Sequence, residues 1–302
     1  MGFERCHPAV NLLYFAAVLT GTVMFQHPAF LMISYLCAFL YSVKRNGNRA
    51  LVFNLCLLPL IGGFSLYYSS YTHFGVTVLW QNMIGNNITL ESLVYGLVLG
   101  VSAAGVCMWF SCIYSVFTTD KVIYLFGRIS PRLSLFFAII LRMVPRTKKE
   151  IRKMNTARSG IGRGVLHGNL LQRCIFSIRI LSMLLTWLIE ALSTASESMR
   201  SRGSNLKGRK AFSIYRFDNR DRAYVIAMFL CMTLSGMARL LGVTDAVYDP
   251  QIRITFSCGD SLVFCIGYFI LCSMPMLLEL WTEHLFRKAR AKGRVPVYPL
   301  DN

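Results

Sequence analysis

The sequence predicts an all-α, polytopic membrane protein with about six transmembrane helices and long amphipathic helices at the cytoplasmic face. Of its 302 residues, 55% are hydrophobic and only 15% are charged, whereas soluble domains carry about 25% charged residues. Lys and Arg nevertheless number 32 against 14 Asp and Glu, which leaves a net charge of +18. This combination excludes a disordered chain and a soluble nucleic-acid-binding protein. It is typical of a membrane protein whose basic residues lie on one side of the bilayer.

Six apolar segments are candidate transmembrane helices. An uncharged helix needs about 20 residues to cross a bilayer, and about 17 can suffice. The first two segments are separated only by Gln26 and His27, which predicts a tight helical hairpin. The segments that meet or approach the required length are residues 9–25, 28–43, 51–70, 93–117, 223–238 and 261–278.

The distribution of Lys and Arg predicts how these helices are oriented. The loop at residues 71–89 contains no Lys or Arg, whereas residues 118–222 contain 21 of the 32. Because cytoplasmic loops are enriched in basic residues, we expect a multi-pass protein of the cell membrane with both termini in the cytoplasm. The predicted parts are N-terminal transmembrane helices (1–117), a cytoplasmic block (118–221), and C-terminal transmembrane helices with a basic tail (222–302).

A seventh apolar segment, residues 174–192, competes with this topology. It is 19 residues long, but it contains Arg179 and Glu190. Each charge costs roughly 2.5–3.5 kcal/mol near the centre of a membrane-spanning helix. We therefore expect a long amphipathic helix that lies at the cytoplasmic face and does not cross. Residues 133–144 are too few to span.

The cytoplasmic block contains a second predicted helix with a basic stripe. Ser130 and Pro131 are suitable residues for its start, and Pro145 is expected to kink or break it. Beyond its middle, basic residues recur at intervals of four, three and four. This face either meets anionic lipid or docks on a protein. The stripe comprises Arg142, Arg146, Lys149 and Lys153.

Both predicted helices end in an arginine between small residues, as Ala157-Arg158-Ser159 and as Ser201-Arg202-Gly203. One interpretation is ordinary capping, because a cation suits the last turn of a helix and a left-handed glycine often terminates it. The other is docking, because small neighbours let a helix end enter a groove where a guanidinium can pair with a carboxylate. The repetition of the pattern favours docking.

At these two motifs the chain resembles the transmembrane T component of energy-coupling factor transporters, which are ATP-driven importers of vitamins and micronutrients. The resemblance covers most of residues 6–205, and the last third is similar mainly in hydropathy. Further segments that carry it are His7-Pro8, YTHFGVTVL (71–79), GNNITLE (85–91), WFSC (109–112), TDK (119–121), YLFGR (124–128) and RMVPR (142–146).

The resemblance implies a non-catalytic subunit with two coupling helices. Each small-Arg-small triplet would dock in a groove on one of two ATPase subunits, which would bind the ATP, so the chain itself needs no cofactor. The second triplet begins with Ser201, where Ala is commoner in the family. A small hydrophobic substrate-binding subunit, the S component, would be the third protein partner. Its candidate contacts are Phe136, Phe137, Phe176, Met183, Leu184 and Trp187.

Small residues in the fourth predicted span, among them Gly96, Gly100 and Gly105, allow two interpretations. Small residues let membrane helices pack closely, so they indicate either packing inside the bundle or a surface on which the S component slides.

Two other functional classes compete with the coupling subunit. A membrane-embedded enzyme needs clustered carboxylates or histidines, but the acids of the cytoplasmic block are scattered and no zinc-ligand spacing occurs. A stand-alone secondary carrier needs polar groups at midplane, whereas Arg239 lies at the end of a predicted span. The chain also lacks the glycine-rich loop that binds ATP phosphates, so its energy must come from a partner. These features of the sequence do not identify the transported compound.

Overall fold

The computed structural model describes residues 3–72, 74–81, 87–165, 169–203, 206, 215, 217–255 and 259–291. His73 and Gly85-Asn86, which contribute to the resemblance, lie outside these residues. The chain divides into two compact units, residues 1–118 with 215–302, and residues 119–214.

The first unit is a bundle of long helices that follows a short 3-10 helix, Phe3–Arg5. Two pairs of short strands lie in its loops. Its elements are α1 (Pro8–Met24), α2 (Pro28–Asn46), α3 (Asn48–Tyr71), β1 (Val78–Gln81), β2 (Asn87–Thr89), α4 (Leu90–Val116), α8 (Asn219–Leu240), β3 (Ala246–Val247), β4 (Arg253–Ile254) and α9 (Asp260–Ala291). The second unit consists of α5 (Thr119–Ile129), α6 (Pro131–Ser159) and α7 (Leu170–Ser201).

The structure confirms the predicted all-α, membrane-like fold class. Each of the six predicted spans coincides with a helix of the first unit, although Phe25 and Phe117 lie one residue beyond the ends of α1 and α4. By length and composition, α3, α4, α7, α8 and α9 could cross a membrane, and α1 is a shorter apolar helix of 17 residues. The helix α7 meets this criterion although it contains the segment expected not to cross. That it stays at the membrane surface remains a prediction, based on its internal charges.

The same tripeptide, His-Pro-Ala, stands at the start of the first two helices, with its histidine just before the first helical residue. His7 and His27 precede the first turns of α1 and α2, where their Nδ1 atoms accept hydrogen bonds from Ala9 and Ala29 at 3.2 and 3.3 Å. The proline that follows each histidine occupies a position where its missing N–H costs nothing. The repeated tripeptide therefore starts both arms of the predicted hairpin.

The centre of the first unit is closely packed around α4, which contacts α1, α2 and α3. A β-carbon on Gly96 would lie 3.0 Å from the Ser65 carbonyl oxygen, and one on Gly100 would lie 3.1 Å from that of Ile61. Both glycines thus let the backbones of α3 and α4 approach each other. For these two residues the structure confirms packing inside the bundle and leaves no surface on which a partner could slide.

Three polar side chains inside the bundle form a hydrogen-bonded cluster. Trp109 of α4 is fully buried, and its Nε1 donates to Ser34 Oγ of α2 at 3.1 Å. Ser34 Oγ also lies 2.7 Å from Thr22 Oγ1 of α1. Because an apolar medium offers no other partners, this cluster fixes how the three helices face one another.

Two small antiparallel hairpins, which the sequence did not predict, lie in the loops before α4 and α9. Strand β1 pairs with β2, and β3 pairs with β4. Glu91, in the first turn of α4, accepts a hydrogen bond from the Thr77 N–H at 3.3 Å, and Thr89 Oγ1 donates to the Phe74 carbonyl at 2.5 Å. These contacts attach the first hairpin to the end of α4.

Pro145 was expected to kink or break the second helix of the cytoplasmic block, and the break is wrong because the helix continues through it. The helix α6 begins at Pro131, as predicted, and continues through Pro145 to Ser159. Ser130 makes no capping bond through its side chain. The turns on both sides of Pro145 are rich in Leu, Met, Arg and Lys, which favour helix, so the local loss at the proline is tolerated. The helix α9 likewise extends well beyond the predicted span.

Candidate functional site

The second unit is built on a contact between α6 and α7. The guanidinium carbon of Arg146 lies 5.4 Å from the centre of the Trp187 ring, which is a cation–π geometry. Further along α6, Arg158 Nη1 donates to Met183 Sδ at 3.9 Å. The order of these two contacts shows that α6 and α7 are antiparallel. Beside the Trp187 contact, Ile139, Met143 and Leu188 line an apolar cavity of about 360 Å³.

The end of α6 places Arg158 in a defined turn. The Arg158 carbonyl accepts a hydrogen bond from the Arg163 N–H at 3.0 Å, and Gly162 N–H donates to Ser159 at 3.0 Å. Gly162, with φ of +71°, is the left-handed residue of this motif. Gly160, which stands directly after the triplet, is right-handed. The capping interpretation is therefore wrong in detail at this helix, because the terminating glycine is two residues further on.

The end of α7 has the simpler arrangement. Gly203, the last residue of the second triplet, adopts a φ of +76°, and its N–H donates to the Arg200 carbonyl at 3.0 Å. This geometry is what the capping interpretation predicts for a glycine after a helix. The Arg202 and Ser201 side chains are exposed.

The two triplet arginines differ in their surroundings. Arg158 is half-buried, and its Nε is buried without a hydrogen-bond partner among the described residues. Arg202 is exposed to solvent. From Met183, which Arg158 contacts, to Arg202 is 19 positions along α7, or about 28 Å in a straight helix. The second unit thus presents its two triplets at well-separated points.

The basic stripe of α6 is partly engaged within its own unit. Arg146 lies against Trp187. Lys153 Nζ lies 3.3 Å from Glu150 Oε2, but the lysine is 74% exposed, so this pair contributes little to stability. Arg142 and Lys149 are exposed. All four cations are exposed, Arg146 included, so they remain accessible to lipid headgroups or to a protein.

Of the six side chains predicted to contact the S component, two are exposed on the second unit and four are half-buried. Phe136 is 57% exposed and Met183 38%. Phe137 is half-buried and stacks on Phe126 of α5, with ring centres 4.4 Å apart. Phe176, Leu184 and Trp187 are also half-buried.

Sequence reasoning missed a longer apolar stripe on α7. Its members recur at intervals of three, four and seven, so they lie on one face of the helix, and all are exposed. The regular spacing of these residues in the sequence could have revealed this face of α7. It is a different face from the one on which the predicted S-component contacts of α7 lie. The stripe comprises Leu171, Ile175, Ile178, Leu185, Ile189 and Leu192.

A cluster of charges in the first unit was also missed. Arg45 of α2 pairs with Glu4, and its Nη1 lies 3.8 Å from Glu279 Oε1 of α9. Tyr41 Oη donates to the same Glu279 oxygen at 3.4 Å, and Lys44 Nζ lies 3.1 Å from Glu283 Oε1. Lys44 and Arg45, in the last turn of α2, are therefore neutralised by acids that are distant in sequence.

No group of three or more His, Cys, Asp or Glu side chains in the described part of the chain is arranged to hold a metal ion. The chain matches no known protein family and no curated protein. The resemblance to T components therefore rests on the motifs themselves, and the features that bear on it are the two arginine triplets and the exposed apolar faces of the second unit.

Proposed function

We propose that the chain is the energy-coupling transmembrane subunit of an importer of the energy-coupling factor type. In this proposal two ATPase subunits hydrolyse ATP, and this chain transmits their motion to a hydrophobic S component that binds a vitamin or micronutrient. It is a non-catalytic protein of the plasma membrane with both termini in the cytoplasm.

The observation that carries the proposal is the pair of triplets at two long helix ends. A subunit that binds two ATPases needs two separate contact points. Arg158 lies beside Met183, and the distance along α7 from Met183 to Arg202 is consistent with two such points. Each guanidinium can form a bidentate pair with a carboxylate in a partner's groove. The two sites would reinforce each other, because binding at one raises the effective concentration at the other.

The exposed apolar stripe of α7 supports a further partner for the second unit. Monomeric soluble proteins rarely expose a contiguous apolar face of this length. In the proposal, Phe136 and this stripe contact the S component or the membrane surface. Arg146, Trp187 and Met183 instead hold α6 and α7 together, so that force on a helix end is transmitted through the unit.

The test compares Arg158→Ala, Arg202→Ala and the double variant with Arg163→Ala and Arg200→Ala. The two control arginines are exposed and stand near the same helix ends but outside the triplets. Each single triplet variant should bind the ATPases more than tenfold more weakly, since loss of a buried charge partner costs about 2–5 kcal/mol. The double variant should be far weaker still, and the controls should behave as wild type.

Two measurements are made. Mass spectrometry identifies the proteins that co-purify with the chain in mild detergent, and an uptake assay measures substrate import by cells. A wild-type chain that retains no ATPase contradicts the proposal. So does full assembly and uptake in the double variant.

A further inference from the structure

A groove of about 850 Å³ lies between α1 and α8 in the first unit. The buried residues Tyr268 and Leu271 of α9 form its floor. This volume is within the range of about 300–1,000 Å³ that small-molecule sites in proteins occupy. Nothing in the proposed coupling function requires it.

The walls of the groove suit a flexible apolar chain. Three exposed methionines, Met24, Met232 and Met237, line it, and methionine side chains adapt readily to irregular apolar surfaces. Gly236 contributes no side chain, and a β-carbon placed there would meet nothing within 4 Å. The space beside Gly236 is therefore open.

A cation lies at one end of the groove. Arg239 is exposed, and its Nη1 donates to the carbonyl of Met24, the last residue of α1, at 2.8 Å. Carbonyls in the last turn of a helix lack partners within the helix, so this bond fixes the guanidinium beside the groove. Arg239 takes part in no ion pair with the described residues. Its other N–H groups can bind an anion.

We infer that this groove binds an anionic phospholipid, with one acyl chain between α1 and α8 and the phosphate on Arg239. The helices α8 and α9 are long and apolar enough to cross a membrane, so hydrocarbon chains are the medium around the groove. A guanidinium at the end of such a helix lies near the headgroups and binds phosphate oxygens in a planar fork. An anionic headgroup without an ammonium, such as that of phosphatidylglycerol, is favoured, because no cation of the lipid competes with Arg239 for the phosphate.

The experiment is native mass spectrometry of the full chain, purified in mild detergent with equal amounts of phosphatidylglycerol and phosphatidylethanolamine. Gly236→Leu fills the groove. Gly63→Leu is the matched control, since it adds the same side chain to another helical glycine whose β-carbon would also meet nothing within 4 Å. Arg239→Gln removes the cation, and Arg239→Lys keeps the charge without the fork.

We expect wild type and Gly63→Leu to retain one phosphatidylglycerol. Gly236→Leu should lower this retention about tenfold, which corresponds to about 1.4 kcal/mol. Arg239→Gln should bind the two lipids equally, and Arg239→Lys should keep part of the preference. Size-exclusion chromatography establishes that each variant is folded.

Unchanged phosphatidylglycerol retention in both Gly236→Leu and Arg239→Gln would overturn the inference. A polypeptide in place of the lipid would overturn it as well. If Gly236→Leu fails to fold, the lipid preference of Arg239→Gln and Arg239→Lys decides the question. Because no ATPase or S component takes part, the outcome is separate from that of the coupling proposal.

Discussion

Arg45 Nη1 and Glu279 Oε1 lie 3.8 Å apart at one end of the helical bundle, although 234 positions separate the two residues in the chain. Glu279 also accepts a hydrogen bond from Tyr41. Arg45 Nε donates to Ser115 Oγ of α4 at 3.1 Å, and its guanidinium pairs with Glu4. A single arginine therefore connects the N-terminal 3-10 helix, α4 and α9 to α2.

Glu279→Ala is expected to destabilise the bundle. The change removes an acceptor from both Arg45 and Tyr41 at a buried site, where residue Glu279 is 7% exposed. An unsatisfied buried donor costs about 1–3 kcal/mol, so the free energy of unfolding should fall by about that amount. Glu279→Gln, which keeps an acceptor for Tyr41, should lose less. Unfolding of the full chain in detergent measures both.

The control for this prediction is Glu150→Ala. Glu150 pairs with the exposed Lys153 one helical turn away, and such pairs are worth about 0–1 kcal/mol. Equal losses in Glu279→Ala and Glu150→Ala would show that burial of the Glu279 site does not matter.

Helix positions were predictable from the sequence because each apolar run is long and is bounded by charged or turn-forming residues. Residues 9–25 were expected as a helix, and α1 covers Pro8–Met24. The pairing of Arg45 with Glu279 was not predictable, because the two residues are brought together only by the packing of α2 against α9. The first hairpin was not predicted either, and Glu91 accepts a hydrogen bond from the Thr77 N–H beside it.

For the candidate site, the sequence located the two arginine triplets but could not tell their environments apart. Arg158 and Arg202 have the same local pattern, yet Arg158 contacts a neighbouring helix through Met183, whereas Arg202 is exposed. That difference comes from tertiary packing. The cation–π contact between Arg146 and Trp187 could not be predicted for the same reason, since 41 positions separate the two residues in the sequence.

Gly96→Leu is expected to destabilise the bundle, whereas Gly63→Leu is not. At Gly96 a β-carbon would lie 3.0 Å from a backbone oxygen of α3, so the helices must move apart. Inserting side-chain atoms into a packed site typically costs about 1–3 kcal/mol. At Gly63 there is open space, and leucine is a better helix former than glycine. Thermal unfolding in detergent compares the two, and equal midpoints would contradict close α3–α4 packing.

The topology prediction concerns α7. In a cysteine-free background, a cysteine in place of Trp80 on the exposed strand β1 should react with an impermeant thiol reagent outside intact cells. A cysteine in place of Asn205, beyond the end of α7, should react only after the membrane is permeabilised. The reason is that Arg179 and Glu190 would have to enter the bilayer if α7 crossed. Reaction of the Asn205→Cys variant in intact cells would contradict the assignment.

The last prediction concerns the pH dependence of the turn between α1 and α2. Burial lowers the pKa of His27 from its usual 6.5, and a hydrogen bond with the Thr255 backbone opposes only part of that effect. The neutral ring accepts a hydrogen bond from Ala29 at Nδ1, and protonation there would break that bond. The unfolded chain therefore binds a proton at His27 more readily than the folded chain.

Neutral His27 therefore contributes fully to the free energy of unfolding above the pKa that it has in the unfolded chain. This contribution is lost as the pH falls through the pKa that it has in the folded chain. We expect the unfolding midpoint of wild type to decrease as the pH is lowered below about 6.5. His27→Asn keeps an acceptor suited to the start of a helix but cannot titrate, so its midpoint should decrease less over the same range. His284→Asn is the control, because His284 is an exposed residue of α9, and it should follow the wild-type curve. Identical pH profiles for wild type and His27→Asn would show that protonation of this turn has no effect on stability.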